Sequence, residues 1–207
     1  MPLPFSHIVY ADKILRTKLK DRQIDEQEFF VGTVFPDVRY LVKDKRETTH
    51  PKFKNSQEIF NKVMGEKDSF KLGWLVHLYI DLKWAEYWLE YFGQDVEKYL
   101  KNLTALNVLS DQYLFNGFKH KSKIKEYLNE VSSKETQYYK LQDIKKWHEF
   151  VKRFLERKLD YNLGKEVIKM IGRDEKIIDI DMVYGRVESL KEDKFVVDKI
   201  RKFSKEL

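Results

Sequence analysis

Cysteine is absent from the chain, and with it go disulfides, thiolate zinc sites and cysteine nucleophiles. Proline and glycine are scarce, 4 and 8 among 207 residues, and three of the prolines come before residue 37. So few breakers leave little room for a sheet-rich fold of many turns. No apolar run approaches the length needed to span a bilayer. The N-terminal MPLPFSHIVYADK lacks the basic start and apolar stretch of a secretory signal, so a cytoplasmic protein is expected. A strong excess of one charge is missing too: 40 basic residues stand against 34 acidic ones, a net +6, with the two signs interleaved. That balance permits contact with phosphates without demanding nucleic acid, and no specific nucleic-acid partner is expected.

What is present favours helix. With 42% hydrophobic and 14% aromatic residues, a chain of this length can bury a sizeable core. Lys, Glu, Leu and Tyr recur at helical spacing, so the expected fold is all-α, a single-domain multi-helix bundle over residues 1–207. Its organising stretch is Phe70–Phe92, FKLGWLVHLYIDLKWAEYWLEYF, which reads as one long buried central helix within about residues 66–92. No proline interrupts it and only Gly73 counts against it. At about 100° per residue, Lys83, Glu86 and Glu90 gather on one side as a solvated stripe. Phe70, Gly73, Trp74, His77, Asp81, Trp84 and Trp88 gather on the other. His77 and Asp81, one turn apart, therefore project from the most aromatic face. Burying a carboxylate there is costly unless something pairs with it, and a cation is the obvious candidate.

The remaining chain reads as further helices. Phe5 to about Lys20 is amphipathic, with Ser6 as a candidate N-cap and His7 facing inward. A short helix at about Asp25–Val31 ends in Gly32. In FPDVRYL, Pro36 biases Phe35 to an extended conformation and leaves Asp37 at a turn. Residues 43–56 form a polar loop in which Pro51 holds His50 away from helix geometry. Helices are expected at about Ser56–Met64, Asp95–Phe118, Ser122–Val131, Glu135–Lys158, Leu163–Ile171 and Asp181–Lys205, with IGRDEKIIDID the one segment where a short strand could hide. The metal-bearing half spans about residues 1–92, and residues 93–207 carry no motif that points to chemistry.

The set His7, Asp37, His50, His77 and Asp81 falls entirely within the first 81 residues. Imidazole plus carboxylate is the ligand set of hydrolytic Zn, Fe or Mn sites. An i, i+4 pair such as His77/Asp81 can put both groups on one ion, with loop ligands such as Asp37 and His50 folding over it. A plain His–Asp hydrogen bond is the rival reading. His120, in FKHKSK, reads as solvated, and His148, beside Trp147, as a residue at the edge of the helix core. Trp74, Trp84 and Trp88 read as core packing, and any that rims the site can serve both roles.

In this order, His7, FVGTVFPD with Asp37, TH with His50 and GWLVHLYID with His77 and Asp81, the motifs resemble the bacterial zinc-dependent phospholipase C and S1/P1-type nuclease superfamily over roughly residues 5–90. The resemblance implies an all-helical fold that holds a zinc cluster and hydrolyses phosphoesters. Carried over, it implies that Asp37, His50, His77 and Asp81 ligate one ion, with Asp81 bridging to a second held by His7. The family's later His…His-x-x-x-Glu set for a third zinc has no counterpart, since His148 is followed at i+4 by Lys152. One or two divalent ions are therefore expected, zinc first, with iron and manganese open. A weaker analogy links the chain to HD-type phosphohydrolases, whose adjacent His-Asp dipeptide is missing; a late aspartate ligand of that kind would be Asp111 in LSDQYLF.

The function implied is metal-assisted hydrolysis of a small phosphorylated substrate or phospholipid: a phospholipid headgroup, a nucleotide or a phosphomonoester. Asp37 and Asp81 would be the catalytic carboxylates, and Lys43, Lys45 and Arg46 would attract the anion. Two rivals stand beside it. One is a helical binding or scaffold protein with a structural or vestigial metal site; the other is a basic nucleic-acid-binding protein, against which the interleaved charges argue.

Overall fold

The computed structural model describes residues 2–170 and 179–207. It is about 75% helical, with twelve α-helices and no strand among the described residues. In chain order these are α1 (Pro4–Thr17), α2 (Glu26–Val34), α3 (Val38–Val42), α4 (Arg46–Thr49), α5 (Ser56–Gly65), α6 (Ser69–Tyr91), α7 (Val96–Leu114), α8 (Lys121–Tyr127), α9 (Leu141–Glu156), α10 (Tyr161–Met170), α11 (Ile180–Glu192) and α12 (Lys194–Glu206). No helix among the described residues is long and apolar enough to cross a membrane. The segment proposed as a hidden strand lies outside the described residues over 171–178, and its end begins α11.

Helix α6 is the axis of the molecule. Asp68 caps it by accepting the Lys71 amide at 2.9 Å, and its buried residues include Phe70, Gly73, His77, Asp81, Trp84 and Trp88. Gly73 is the reason α2 can lie so close. A Cβ on Gly73 would overlap the Phe29 carbonyl oxygen, and one on Gly32 would overlap that of Phe70. Two glycines thus face each other's helix backbones at one crossing. Gly32 accordingly sits inside α2, which runs on to Val34, and does not end it at Val31 as its breaker character suggests. The helix-propensity cost of each glycine, about 1 kcal/mol, is offset by the packing that the missing side chains allow.

Other helices wrap this pair. Helix α5 folds back on α6 through Phe60 against Tyr79, ring centroids 5.3 Å apart. Glu86, assigned above to the solvated stripe, instead accepts the Ser56 amide and hydroxyl at 2.8 and 2.5 Å and ties down the start of α5. Helix α7 returns along α6, where Trp84 Nε1 donates to Asn107 Oδ1 at 3.0 Å. Helix α12 lays Val196, Ile200 and Phe203 on the core, and Phe203 packs edge-on against Trp84 and Tyr10. Helix α9 is anchored by Trp147 Nε1, which donates to the Val34 carbonyl at 2.8 Å.

Several further expectations are corrected. Ser6 does not cap α1: Leu3 is the N-cap residue without a side-chain bond, and Ser6 gives its amide to Asp111 at 3.0 Å. Phe35 is helical (φ −56°, ψ −44°) despite the following proline, because burial of its ring among Phe70, Trp74, Tyr138 and Tyr139 outweighs the local preference. The run expected over Glu135–Lys158 is a 3-10 turn, Glu135–Gln137, followed by α9. The final helix is two, since the Asp193 carboxylate caps α12 by accepting the Phe195 and Val196 amides. In α7 the apolar positions Leu100 and Tyr113 face solvent, while Leu106, Val108 and Leu109 form its buried side.

Candidate metal centre

Four elements deliver the five side chains of the site. His7 comes from the first turn of α1, and Asp37 ends the 3-10 turn Phe35–Asp37. His50 follows α4 at φ −125°, ψ 71°, and His77 and Asp81 sit one turn apart on α6. All five are buried, none more than 6% exposed. Two groups have mutually close ligand atoms: His7, His77 and Asp81, and Asp37, His50 and His77, each within 4.8 Å.

The outward nitrogens decide what the inward ones can do. His77 Nδ1 lies 2.9 Å from the Thr33 carbonyl, which can only accept, so this nitrogen carries the proton. The same logic protonates His7 Nδ1, 3.2 Å from the Leu3 carbonyl. Thr49 Oγ1 donates to the Pro36 carbonyl at 2.9 Å and thus receives His50 Nδ1 at 2.9 Å as a donor. In the neutral rings all three Nε2 atoms therefore present bare lone pairs to one small volume. His50 Nε2 and His77 Nε2 are 3.3 Å apart. Asp37 Oδ1 is 3.9 Å from each of them, and Asp81 Oδ2 is 3.5 and 3.9 Å away. Asp81 Oδ1 turns to His7 Nε2 at 3.1 Å. The His7 and His77 rings stack at 3.9 Å between centroids.

Acceptors so gathered need a proton or a cation between them. Asp37 Oδ1 and Asp81 Oδ2 are buried without any hydrogen-bond partner. A tetrahedral ion with ligands at about 2.1 Å implies ligand–ligand edges of about 3.4 Å. The edges from His50 and His77 to each other and to Asp37 and Asp81, 3.3–3.9 Å, are near that spacing. The residues present therefore fit one divalent ion, and Asp81, with its other oxygen on His7, can reach toward a second. His77 contributes one atom and so belongs to only one of the two groups.

Burial drives the His77 imidazolium well below its ordinary range, and the neighbouring His7 adds to the effect. Burial also pushes the Asp37 carboxyl up, against the pull of His50 and His7. For Asp81 burial opposes the charge, but hydrogen bonds from His50 and His7, made when those rings carry a proton on Nε2, hold the carboxyl well below the usual range. Arg46, half exposed on α4, brings Nη2 to 3.6 Å from Asp81 Oδ2. Trp74 rims the site, donating Nε1 to the Thr49 carbonyl at 2.7 Å beside His50.

Asp111, the sixth candidate ligand, is buried but outside both groups. Its Oδ1 takes the Ser6 amide and hydroxyl, and it anchors the turn of α1 that carries His7. The other histidines have partners that sequence reading missed. His120 pairs with Asp12 at 3.0 Å and is not simply solvated. His148 lies fully in the core with Nε2 2.9 Å from buried Glu135, a pair thirteen residues apart that no helical spacing reveals.

No family model, curated protein or solved structure matches this chain.

Proposed function

We propose that this protein is a metal-dependent hydrolase acting on a phosphoester, resembling the zinc-dependent phospholipase C and S1/P1 nuclease superfamily. One observation carries the reading: three imidazole lone pairs and two buried carboxylates converge, and Asp37 Oδ1 and Asp81 Oδ2 have no hydrogen-bond partner. Asp37, His50, His77 and Asp81 would hold one ion, and His7 with Asp81 would contribute to a second. Zinc suits this mixed N/O set, as do iron and manganese. An ion bound there supplies a Lewis acid that lowers the pKa of its water toward about 7 and offsets charge on a phosphate. Asp37, whose buried carboxyl is the more easily protonated of the two, takes the proton of the attacking water. Asp81 keeps its charge. Thr33, Thr49 and Leu3 fix the three imidazole tautomers through their bonds to Nδ1.

A second reading, a helical scaffold with a structural metal site, is favoured by the depth of burial and by the count of four protein ligands. Structural zinc sites are closed with four, while catalytic ones keep a position open. The two readings part on coordination number.

Elemental analysis of the purified protein beside a His77→Ala, Asp81→Ala double variant tests the site. One or two transition-metal ions per chain in the wild type, lost in the variant, are expected. X-ray absorption on the bound ion should show an oxygen neighbour beyond the protein ligands, and phosphoester turnover should follow the metal. A wild-type protein that stays metal-free and cannot be reconstituted ends this reading.

A further inference from the structure

Asp81 Oδ2 is a buried acceptor without a hydrogen-bond partner, and α4 sends two side chains toward it. Arg46 and His50 stand one turn apart there, the His50 amide donating to the Arg46 carbonyl at 2.8 Å. His50 Nε2 lies 3.5 Å from Asp81 Oδ2, and Arg46 Nη2 lies 3.6 Å from it. The two differ in freedom. The His50 side chain is 2% exposed and held through Thr49, whereas that of Arg46 is 47% exposed. At 3.6 Å the guanidinium offsets the charge of the carboxylate without a proper hydrogen bond to it. An ion pair with one half-exposed partner is weakly held. Of the three cations that the sequence sets beside this loop, Lys43, Lys45 and Arg46, only Arg46 comes within ion-pair distance of a candidate ligand among the described residues.

A divalent ion at the centre changes this balance. Bonded to Asp81 Oδ2 at about 2.1 Å, it stands no more than about 5.7 Å from Arg46 Nη2. Two cations that close repel, and Asp81 has a single negative charge to share between them. The imidazoles cannot give way, since Thr33, Thr49 and Leu3 hold them. The half-exposed arginine can.

We propose that Arg46 is a metal-released arm: paired with Asp81 until an ion takes that oxygen, then turned outward to receive the oxyanion of a substrate on the ion. Its side chain suits the second task, because the guanidinium fork stays charged at any physiological pH and matches a phosphate. The inference rests on the metal reading above and adds regulation to the same site. Loading with the ion is what frees the receptor for the substrate.

The test uses Arg46→Gln, which removes the charge, beside Lys45→Gln, the same charge change at the exposed N-cap of α4. Zinc is titrated into the metal-free full-length proteins against a chromophoric chelator, and inorganic phosphate into the zinc-loaded ones. Arg46→Gln is expected to bind zinc about fivefold more tightly, the top of what an exposed ion pair contributes. Phosphate should bind it about tenfold more weakly, and Lys45→Gln should show neither change to that extent. The opposite signs are decisive, because an arginine that merely braced the fold would weaken both on removal. Zinc affinity that does not rise in Arg46→Gln, phosphate affinity that does not fall, or equal changes in Lys45→Gln overturn the inference while the metal reading stands. A wild-type protein that binds no zinc ends the metal reading and this inference with it. Should Arg46→Gln not fold, the wild type decides: its Arg46 Nε–H resonance should shift on adding zinc and again on adding phosphate. A resonance that stays in place through both additions overturns the inference.

Discussion

Asp111 shows what a single buried carboxyl does to this protein. It receives two bonds from Ser6, yet its Oδ2 has no partner, and burial pushes its carboxyl up to about 7 despite those bonds. An unfolded aspartate gives up its proton near 3.9. Between these values the folded chain keeps a proton that the unfolded chain has lost, so stability falls as pH rises, by up to about 1.4 kcal/mol per unit. Below about 3.9 both states are protonated and the contribution is intact; above about 7 the loss is complete. Asp111→Asn mimics the protonated form and keeps an oxygen for Ser6. Urea denaturation of the metal-free proteins should find the variant similar to wild type near pH 4 and progressively more stable than it up to pH 7, with a constant margin beyond. A margin that does not grow with pH would show that Asp111 is not the group held protonated.

At the scale of helices, the crossing of α2 and α6 fixes the metal centre, because the Thr33 carbonyl that orients His77 rides on one and His77 with Asp81 on the other. Gly73→Ala sets a methyl group against the Phe29 carbonyl oxygen and must push the helices apart. A cost of at least about 2–3 kcal/mol is expected, with weaker metal binding, read by denaturation and by chelator competition. Wild-type stability in Gly73→Ala would refute the close crossing. The same glycines mark the boundary of what the sequence makes legible. The inward face of α6, the proline-marked Asp37 and His50 and the all-α class follow from periodicity and local chemistry, both of which act over a few residues. Gly32 and Gly73, read alone, look like breakers, because the backbone each one meets is some forty residues away in the chain. Glu135 with His148 and Ser6 with Asp111 are likewise tertiary pairs, decided by packing.

Across the whole molecule, the half without motifs turns out to hold the half that has them. Asp111 and Ser110 of α7 grip Ser6, next to His7, while Trp147 of α9 grips Val34 and Phe203 of α12 closes over Trp84 and Tyr10, each of these three about one turn from a proposed ligand. A site whose ligands come from α1, α6 and the segment between them therefore depends on residues beyond 93 for its shape, and metal-free unfolding should be a single transition. Ligands that exist only in the folded arrangement also bind only the folded state. An ion present at a thousandfold excess over its Kd then adds about 4 kcal/mol to stability. Far-ultraviolet dichroism, tryptophan fluorescence and metal release should report one coincident midpoint, which moves down together when a chelator is added. Separate midpoints, with the metal leaving before the α7, α9 and α12 contacts break, would mean that the late helices merely neighbour the site and do not build it.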